Sequence, residues 1–366
     1  MVTVTSHRCE DWVHVGPRWA ELSAACDGSV FLSAEWVGVW LEIFGKAMGT
    51  EILLVEEGSN LIGACLISHY KGGLAWLPLR RVSLNASGEA HTETTYVEYN
   101  DILCRPGSET AVRRALIGRI SQMEWDELRL EGFIPEGCYE AICEAFKGLQ
   151  RTEIKHPSYY VDLAAIRRSA GTYDSALRGA TRKHLRQNIR YCGEAGELQL
   201  TVARDVTTAL GIFDEMAGAS RIRHEALGGR SVFLSERFAE FHRRMIERYL
   251  ATGLVQMLRL TAGGQTVGNI YNLVYRGRAY FYQCGYRYTS DKRLSPGTVT
   301  LSFAVQHCLD NGLDDFDFLS GDAHYKQSMS TGSRDLVWTV LRRKTLKNSV
   351  MNGLRSVRRR LQESQS

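Results

Sequence analysis

The 366-residue chain carries four reactive side chains after a stretch at 316–320 that predicts a buried strand: Asp322, His324, Tyr325 and Lys326. Acyl transfer to an amine needs a base for the amine proton, a polarised thioester carbonyl and an acid for the leaving thiolate. Asp322 or His324 can take the amine proton, and Tyr325 can protonate the thiolate or hold the carbonyl. Lys326 can bind a phosphate or the acceptor. The alternative is structural, with Asp322 capping the next turn and Tyr325 packed beneath it.

A turn that can open a helix lies upstream of this run. It is made by four successive residues: Ser295, Pro296, Gly297 and Thr298. The proline fixes φ near the helical value and the glycine lets a ligand approach closely, so the N–H groups of Gly297, Thr298 and Val299 can bind an anion. Arg287 and Arg293 precede the turn and can add charge-assisted bonds to a phosphate. A phosphate site near acid and base groups predicts an enzyme that uses a phosphate-bearing acyl carrier. The alternative interpretation is that the turn simply begins a helix and binds no ligand.

Composition and charge exclude several classes of protein. Hydrophobic residues make up 44% of the chain and the formal net charge is only +4, which predicts full cores and no overall basic field for DNA. The nine cysteines have no CxxC pairing, so we expect reduced thiols, and no residue spacing predicts a metal site. The N-terminus lacks an apolar signal segment, and no apolar run is long enough to span a bilayer. We therefore expect a cytoplasmic protein, with peripheral binding to the inner face of the membrane left open.

Two halves of the chain repeat one order of elements: a helix, a two-stranded hairpin, a further strand, a second helix and a last strand. Gly63 and Gly268 stand at matching places after the two hairpin turns. The second half predicts helices and strands at these positions: helices at 181–195, 206–223, 235–252 and 298–311, and strands at 254–261, 266–275, 278–287 and 314–319. A repeat this long predicts an α/β fold of two similar domains, each with a mixed, largely antiparallel sheet (an α+β mixed sheet) and helices packed on it. We predict domains at 1–160 and 161–343, followed by a helix at 344–366.

Two polar segments can hold an acceptor substrate. A long loop at 85–101 separates apolar strands and carries four candidates for binding an amine or hydroxyl groups: Glu89, His91, Glu98 and Asp101. A basic helix at 178–190 places arginines on one face, and Arg182 and Arg186 can contact a phosphorylated or sugar-nucleotide ligand. A mobile surface loop and a solvated helix face are the alternatives.

The C-terminal segment predicts a basic amphipathic helix. Five apolar residues recur at helical spacing: Leu346, Val350, Leu354, Val357 and Leu361. Basic residues crowd the same segment: Arg342, Arg343, Lys344, Lys347, Arg355, Arg358, Arg359 and Arg360. Such a helix can dock on the core with its charges solvated, lie on an anionic membrane surface, or serve as a nucleotide-binding arm.

The order of hairpin, strand, glycine-bearing turn, helix and strand resembles the GNAT acyltransferase fold, and the tandem arrangement resembles the Fem-type aminoacyl transferases. Three features also resemble the CelD-like acetyltransferases associated with bacterial cellulose and exopolysaccharide: the basic helix at 181–188, the turn at 295–297, and the ending at 316–322 followed by Tyr325 and Lys326. The resemblance covers 162–343 well and the first half more loosely. The usual GNAT phosphate loop is absent, and residues 295–298 occupy its place.

The resemblance implies an N-acyltransferase with tandem GNAT-like domains that moves an acyl group, acetyl or longer, from acyl-CoA to an amine in cell-envelope polysaccharide or lipid biosynthesis. The acceptor would be an amino sugar or a sphingoid-type amine, and the second domain would hold the donor at 295–298. Transfer would be direct, by attack of the amine on the thioester, because no cysteine stands in an activating motif. Two alternatives stay open: an aminoacyl-tRNA-dependent transferase like the Fem proteins, and a non-catalytic GNAT pair with a regulatory or binding role.

Overall fold

The computed structural model describes residues 1–90, 92–288, 291 and 293–363, and for 355–363 it describes the backbone alone. The chain forms two compact units. Unit 1 consists of Met1–Ala90, Thr94–Lys155 and the residues from Leu336 onward, and unit 2 consists mainly of His156–Asp335. The domain boundaries predicted from the sequence stay predictions.

The first part of the chain supplies most elements of unit 1. They follow in this order: β1 (Val2–Arg8), α1 (Trp12–Ala25), α2 (Ala34–Trp40), β2 (Glu51–Glu57), β3 (Asn60–Leu74), β4 (Leu77–Leu84), β5 (Leu103–Cys104), α3 (Glu109–Gln122), β6 (Glu127–Phe133) and α4 (Cys138–Ala145). A π-helical turn, Leu41–Gly45, extends α2. The Ser33 hydroxyl accepts a hydrogen bond from the backbone N–H of Trp36 and so caps the start of α2.

The remaining elements complete both units. They are β7 (Gln150–Asp162), α5 (Leu163–Arg168), α6 (Tyr173–Ala176), α7 (Gly179–Gly193), β8 (Leu198–Val202), α8 (Val206–Ala226), α9 (Glu236–Tyr249), β9 (Val255–Ala262), β10 (Gln265–Tyr275), β11 (Arg278–Tyr286), α10 (Pro296–Asp310), β12 (Asp315–Ser320), α11 (His324–Met329), β13 (Gly332–Arg342) and α12 (Leu346–Glu363). The helices and strands predicted for the second half are confirmed as α7 to α10 and β9 to β12. Among the described residues, no helix is both long and apolar enough to cross a bilayer.

The strands of unit 1 form a mixed sheet. β1 to β4 pair antiparallel in order, and β5 pairs with β3. β4 and β6 pair parallel, and β13 adds to β6 in the antiparallel sense. α3 covers this sheet with Val112, Leu116 and Ile120, which recur at a spacing of four residues and are fully buried in the core. Burial of each such side chain contributes about 1.5–3 kcal/mol.

Unit 2 has a sheet of the same kind. β8 to β11 pair antiparallel in order, β11 and β12 pair parallel, and β12 pairs antiparallel with β7. α10 packs on it through Leu301, Val305 and Cys308, which lie in one core with Ile270 and Phe316. The mixed α/β fold predicted from the sequence is confirmed in both units.

A close approach between a helix and a hairpin strand recurs in the two units. A Cβ at Gly63 of β3 would lie 2.3 Å from Val112 Cγ1 of α3. A Cβ at Gly268 of β10 would lie 2.5 Å from Thr300 Oγ1 of α10. Both distances are too short for a side chain, which explains why glycine stands at the matching place in each half.

Candidate active site

A cleft opens in unit 2 where two parallel strands separate. β11 and β12 pair through three residues each, ending at Tyr280 and Asp317. β11 nevertheless continues to Tyr286, and its pairing with β10 is irregular after Tyr271, so the strand bends in this region. Among the described residues, the edge of β11 beyond Tyr280 has no registered partner strand on the β12 side. Its backbone N–H groups can therefore bond a ligand such as a thioester carbonyl.

The start of α10 presents hydrogen-bond donors. Pro296 has no N–H, and the N–H of Val299 donates to the Ser295 carbonyl at 3.2 Å. The sequence predicted Val299 as a third free donor, which is wrong because the first helical hydrogen bond uses it. The N–H groups of Gly297 and Thr298 have no hydrogen-bond acceptor among the described residues. Together with the helix dipole, these two groups make a site for an anion.

Asn188 of α7 holds this turn in place. Its side chain is 1% exposed, and its Oδ1 accepts a hydrogen bond of 3.0 Å from the Ser295 N–H. Its Nδ2 donates to the His184 carbonyl at 2.9 Å, which fixes the orientation of the amide. The turn is therefore anchored by a buried side chain that lies 107 positions earlier in the sequence.

A cavity of about 240 Å³ lies at the start of α10. Its walls are formed by Tyr286, Tyr288, Leu294, Ser295, Pro296, Gly297, Thr298, Leu301 and Tyr325. The structure thus brings together four residues that the sequence proposed for donor binding and acid catalysis: Ser295, Gly297, Thr298 and Tyr325. A Cβ at Gly297 would lie 3.0 Å from the Tyr286 ring, so glycine keeps this wall of the cavity close to the helix start.

The tyrosines of the cavity stay protonated. Burial raises the pKa of the Tyr286 phenol, and the neighbouring Cys284 thiol raises it further. Partial burial likewise raises the pKa of Tyr325, whose side chain is still 36% exposed and open to a ligand. Tyr286 Oη is buried and forms no hydrogen bond of ordinary geometry with the described residues. Both phenols can therefore donate a proton or a hydrogen bond at neutral pH.

A buried carboxylate fixes the end of β12. Asp317 is fully buried, and its Oδ1 accepts hydrogen bonds from Ser158 Oγ at 2.9 Å and from the Leu319 N–H at 2.7 Å. Its Oδ2 accepts a bond of 3.0 Å from Arg334 Nη1. Leu319 has a φ of +59°, a left-handed conformation that is rare for leucine. The bond to Asp317 stabilises this turn, which leads the chain into α11.

Lys326 makes contacts within the same turn. Its ammonium donates hydrogen bonds to the Leu319 carbonyl at 3.1 Å and to the Ser320 carbonyl at 2.5 Å. These bonds tie α11 to the end of β12 and so position Tyr325, the preceding residue. The sequence-based role of Lys326 in binding a phosphate stays a prediction.

The other two predicted catalytic residues lie at the surface. Asp322 has a side chain that is 69% exposed, with Oδ2 at 3.7 Å from His156 Nδ1. His324, the first residue of α11, is exposed. Of the three candidates, Tyr325 lines the cavity, while Asp322 and His324 are exposed and are not among its lining residues.

The arginines proposed for ligand binding all have protein partners. Arg287 donates to Gln265 Oε1 at 2.7 Å, and the guanidinium of Arg293 bonds the Asp291 carboxylate at 2.6 Å. On α7, Arg186 pairs with Asp174 at 2.7 Å, and Arg182 approaches the Ser175 carbonyl at 3.4 Å. Exposed ion pairs such as those of Arg186 and Arg293 are weak, so a phosphate can displace the carboxylate partners.

Comparison with known families identifies the region that contains this cavity. The model of the acetyltransferase (GNAT) domain family matches residues 179–327. This segment matches an acetyltransferase (GNAT) domain. It includes α7, the open edge of β11, the start of α10 and Tyr325, and a GNAT domain implies an acyl-CoA donor. No match was found among curated proteins.

Solved structures share the fold over nearly the whole chain. FemX matches with a TM-score of 0.56 at 10% identity, covering 88% of this chain and 95% of its own. L-PGS from Bacillus licheniformis matches with a TM-score of 0.51 at 13% identity, covering 90% and 94%. A conserved protein of unknown function from Bacteroides thetaiotaomicron VPI-5482 matches with a TM-score of 0.54 at 8% identity, covering 94% and 100%. At these identities the likeness shows the fold alone.

Unit 1 contains a counterpart of the GNAT cleft, and it is filled by its own chain. Asn100 lies between β4 and β6, where its Nδ2 donates to the Leu84 carbonyl at 3.2 Å and to the Glu131 carbonyl at 3.0 Å. Asn85 donates to Asn100 Oδ1 at 2.6 Å and fixes it there. At the start of α3 the Glu109 carboxylate accepts the Gly107 N–H at 3.0 Å, so a negative charge already occupies the place of an anion. Of the two clefts, the one in unit 2 is therefore the more open to a ligand among the described residues.

Three of the four loop residues proposed for acceptor binding are largely buried. Glu89 accepts hydrogen bonds from Trp40 Nε1 and Thr95 Oγ1, and burial raises its pKa to about 7. Burial also raises the pKa of Asp101 to about 6. Glu98 is 7% exposed. The fourth candidate, His91, lies outside the described residues, and the roles of all four stay predictions.

Glu89→Gln is expected to change how stability depends on pH. Because the pKa is about 7 in the folded chain and near 4.5 when unfolded, the folded state alone holds the proton between these values. The wild type therefore loses stability as the pH rises from about 5 to 7, and the variant lacks this loss because glutamine cannot ionise. Thermal unfolding at several pH values measures this. The midpoint temperature of the variant, relative to that of the wild type, should rise as the pH increases over this range. Glu57→Gln, at an exposed position of β2, serves as the control, and a pH-independent difference for Glu89→Gln would contradict the assignment.

Sequence reasoning missed three residues of the site. Asn188 stands inside the basic helix, and the one signal for it is an amide among charged side chains. Tyr286 lies in the stretch at 278–287 that predicts a strand, and Tyr288 follows that stretch.

Proposed function

We propose that the protein transfers an acyl group directly from acyl-CoA to an amine acceptor of cell-envelope polysaccharide or lipid biosynthesis. The observation that supports the donor site best is the pair of N–H donors at Gly297 and Thr298, which border the cavity lined by Tyr325. The diphosphate of coenzyme A would bind these N–H groups and the dipole of α10. The thioester would then extend along the open edge of β11.

The residues of the cavity suit the collapse of a tetrahedral intermediate. The acceptor nitrogen attacks the thioester carbonyl carbon, and a backbone N–H of the β11 edge stabilises the oxyanion. When the carbon–sulfur bond breaks, Tyr325 donates its proton to the thiolate. Asp322 or His324 accepts the proton that the amine loses, through water, since both are exposed.

The acceptor is proposed from the resemblance to the CelD-like group. An amino sugar or a sphingoid-type amine fits that group, and both carry hydroxyl groups beside the amine. Glu89, Glu98 and Asp101 are our candidates in unit 1 for binding them, and Arg182 and Arg186 are those in unit 2.

Asn188→Ala is expected to raise the KM for acyl-CoA about tenfold, because the Ser295 N–H loses its acceptor and the donor turn loses its anchor. Steady-state kinetics measures the KM for acyl-CoA. Thermal shifts with acetyl-CoA, a long-chain acyl-CoA and a UDP-amino sugar show which of these ligands bind. Asn311→Ala is a matched control, because Asn311 makes the same bonds to its own helix, at 2.8 Å to the His307 carbonyl. If no coenzyme A ester stabilises the wild type, the donor assignment fails.

A further inference from the structure

Over residues 346–354 of α12, three apolar side chains are exposed to solvent. Leu346, Val350 and Leu354, which are spaced by four residues, are 87%, 47% and 41% exposed. The helix is held to unit 1 by other residues, since Asn348 donates to the Asp126 carbonyl at 2.8 Å and Met351 is 7% exposed. A helix docked on a protein core normally buries its apolar stripe, so this stripe is left for another partner.

A second exposed apolar group lies in the β3–β4 hairpin of the same unit. The hairpin closes between Leu74 and Leu77, and Trp76 in its turn is 68% exposed while Leu74 is 40% exposed. Lys347 of α12 places its ammonium 3.5 Å from the Pro78 carbonyl at the start of β4, so the hairpin and the helix are neighbours. We call these five exposed side chains the apolar face: Leu74, Trp76, Leu346, Val350 and Leu354.

Basic residues surround the apolar face. Lys71 on the hairpin and Lys344 and Lys347 at the start of α12 are exposed. Arg80 is paired with Glu124 and adds no net charge. The sequence of α12 continues with four arginines and no acidic residue before Glu363: Arg355, Arg358, Arg359 and Arg360.

We propose that the apolar face and its surrounding cations bind the surface of an anionic lipid bilayer. Tryptophan favours the headgroup region of a membrane, and an amphipathic helix with basic residues lies in the plane of that region. The excess of cations argues against a second copy of this chain as the occupant, because two such faces would repel each other. The exposed leucines, valine and tryptophan argue against a nucleic acid, which offers no apolar surface of this kind.

Vesicle sedimentation tests the proposal with the full chain and no acyl-CoA. We expect the protein to sediment with phosphatidylcholine vesicles that contain about one third phosphatidylglycerol, to bind pure phosphatidylcholine weakly, and to be released as the salt concentration rises. Lys347→Ala should weaken binding about fivefold. Trp76→Ser and Val350→Asp should each abolish most of the binding. Ile222→Ser in unit 2 removes an equally exposed apolar side chain outside this face and should bind like the wild type.

Three results would overturn the proposal. The first is equal binding by the wild type and by Trp76→Ser and Val350→Asp. The second is no binding of the wild type to anionic vesicles. The third is a wild-type dimer, seen by sedimentation velocity without lipid, that the same substitutions dissociate, since the occupant would then be a second copy. All the substituted side chains are exposed, so unchanged thermal unfolding is expected and can be checked. Acyl-CoA binding is measured separately, so failure here leaves the donor site untouched.

Discussion

Asp317→Ala is expected to lower the free energy of unfolding by about 3–5 kcal/mol. The substitution removes the acceptor of three hydrogen bonds, from Ser158, Leu319 and Arg334, at a fully buried position. It leaves the Ser158 hydroxyl and the Leu319 N–H without their acceptor, and it removes one of the two aspartates that bind Arg334. The left-handed turn at Leu319 also loses its stabilising bond. Urea denaturation followed by circular dichroism measures the change.

Asp314→Ala is the matched control for this experiment. Asp314 lies just before the same strand, but its side chain is 63% exposed, and it pairs with Arg167 at 2.6 Å on the surface. An exposed pair contributes only about 0–1 kcal/mol, so the control should unfold nearly like the wild type. If both variants lost the same stability, the buried network would not be what holds the end of β12.

Tyr325→Phe is expected to lower kcat about a hundredfold, with little change in the KM for acyl-CoA. Phenylalanine keeps the wall of the cavity but removes the proton for the leaving thiolate. Adding Asp322→Ala should lower kcat further if Asp322 relays the proton of the amine. A coupled assay that detects free coenzyme A measures both rates with a panel of amines.

Tyr275→Phe, at the end of β10, controls for the loss of a phenol elsewhere in unit 2. If neither Tyr325→Phe nor Asp322→Ala changed acyl-CoA turnover, these two residues would have no part in the chemistry. In that case the proposed catalytic roles at the end of β12 would have to be abandoned.

Much of the fold was determined by local sequence patterns. Glycine turns placed the hairpin of β9 and β10, and the turn at 295–298 placed α10 within two residues of its observed start. Elements without a strong period, such as β1, α11 and β13, were not predicted. β1 and β13 form where they pair with β2 and β6, and that pairing is not encoded in either strand by itself.

The candidate site also combines features that local sequence predicts with features that depend on tertiary contacts. The sequence by itself determined the helix start at Pro296 and Gly297 and the polar run after β12, because proline, glycine and clustered reactive residues act through local geometry. Only the tertiary structure decided that Asn188 anchors Ser295, that Tyr325 lines the same cavity, and that Asn100 fills the matching cleft of unit 1. Each of these depends on a contact between residues far apart in the chain. Local spacing cannot specify such contacts, because they arise only when the sheets and helices have packed.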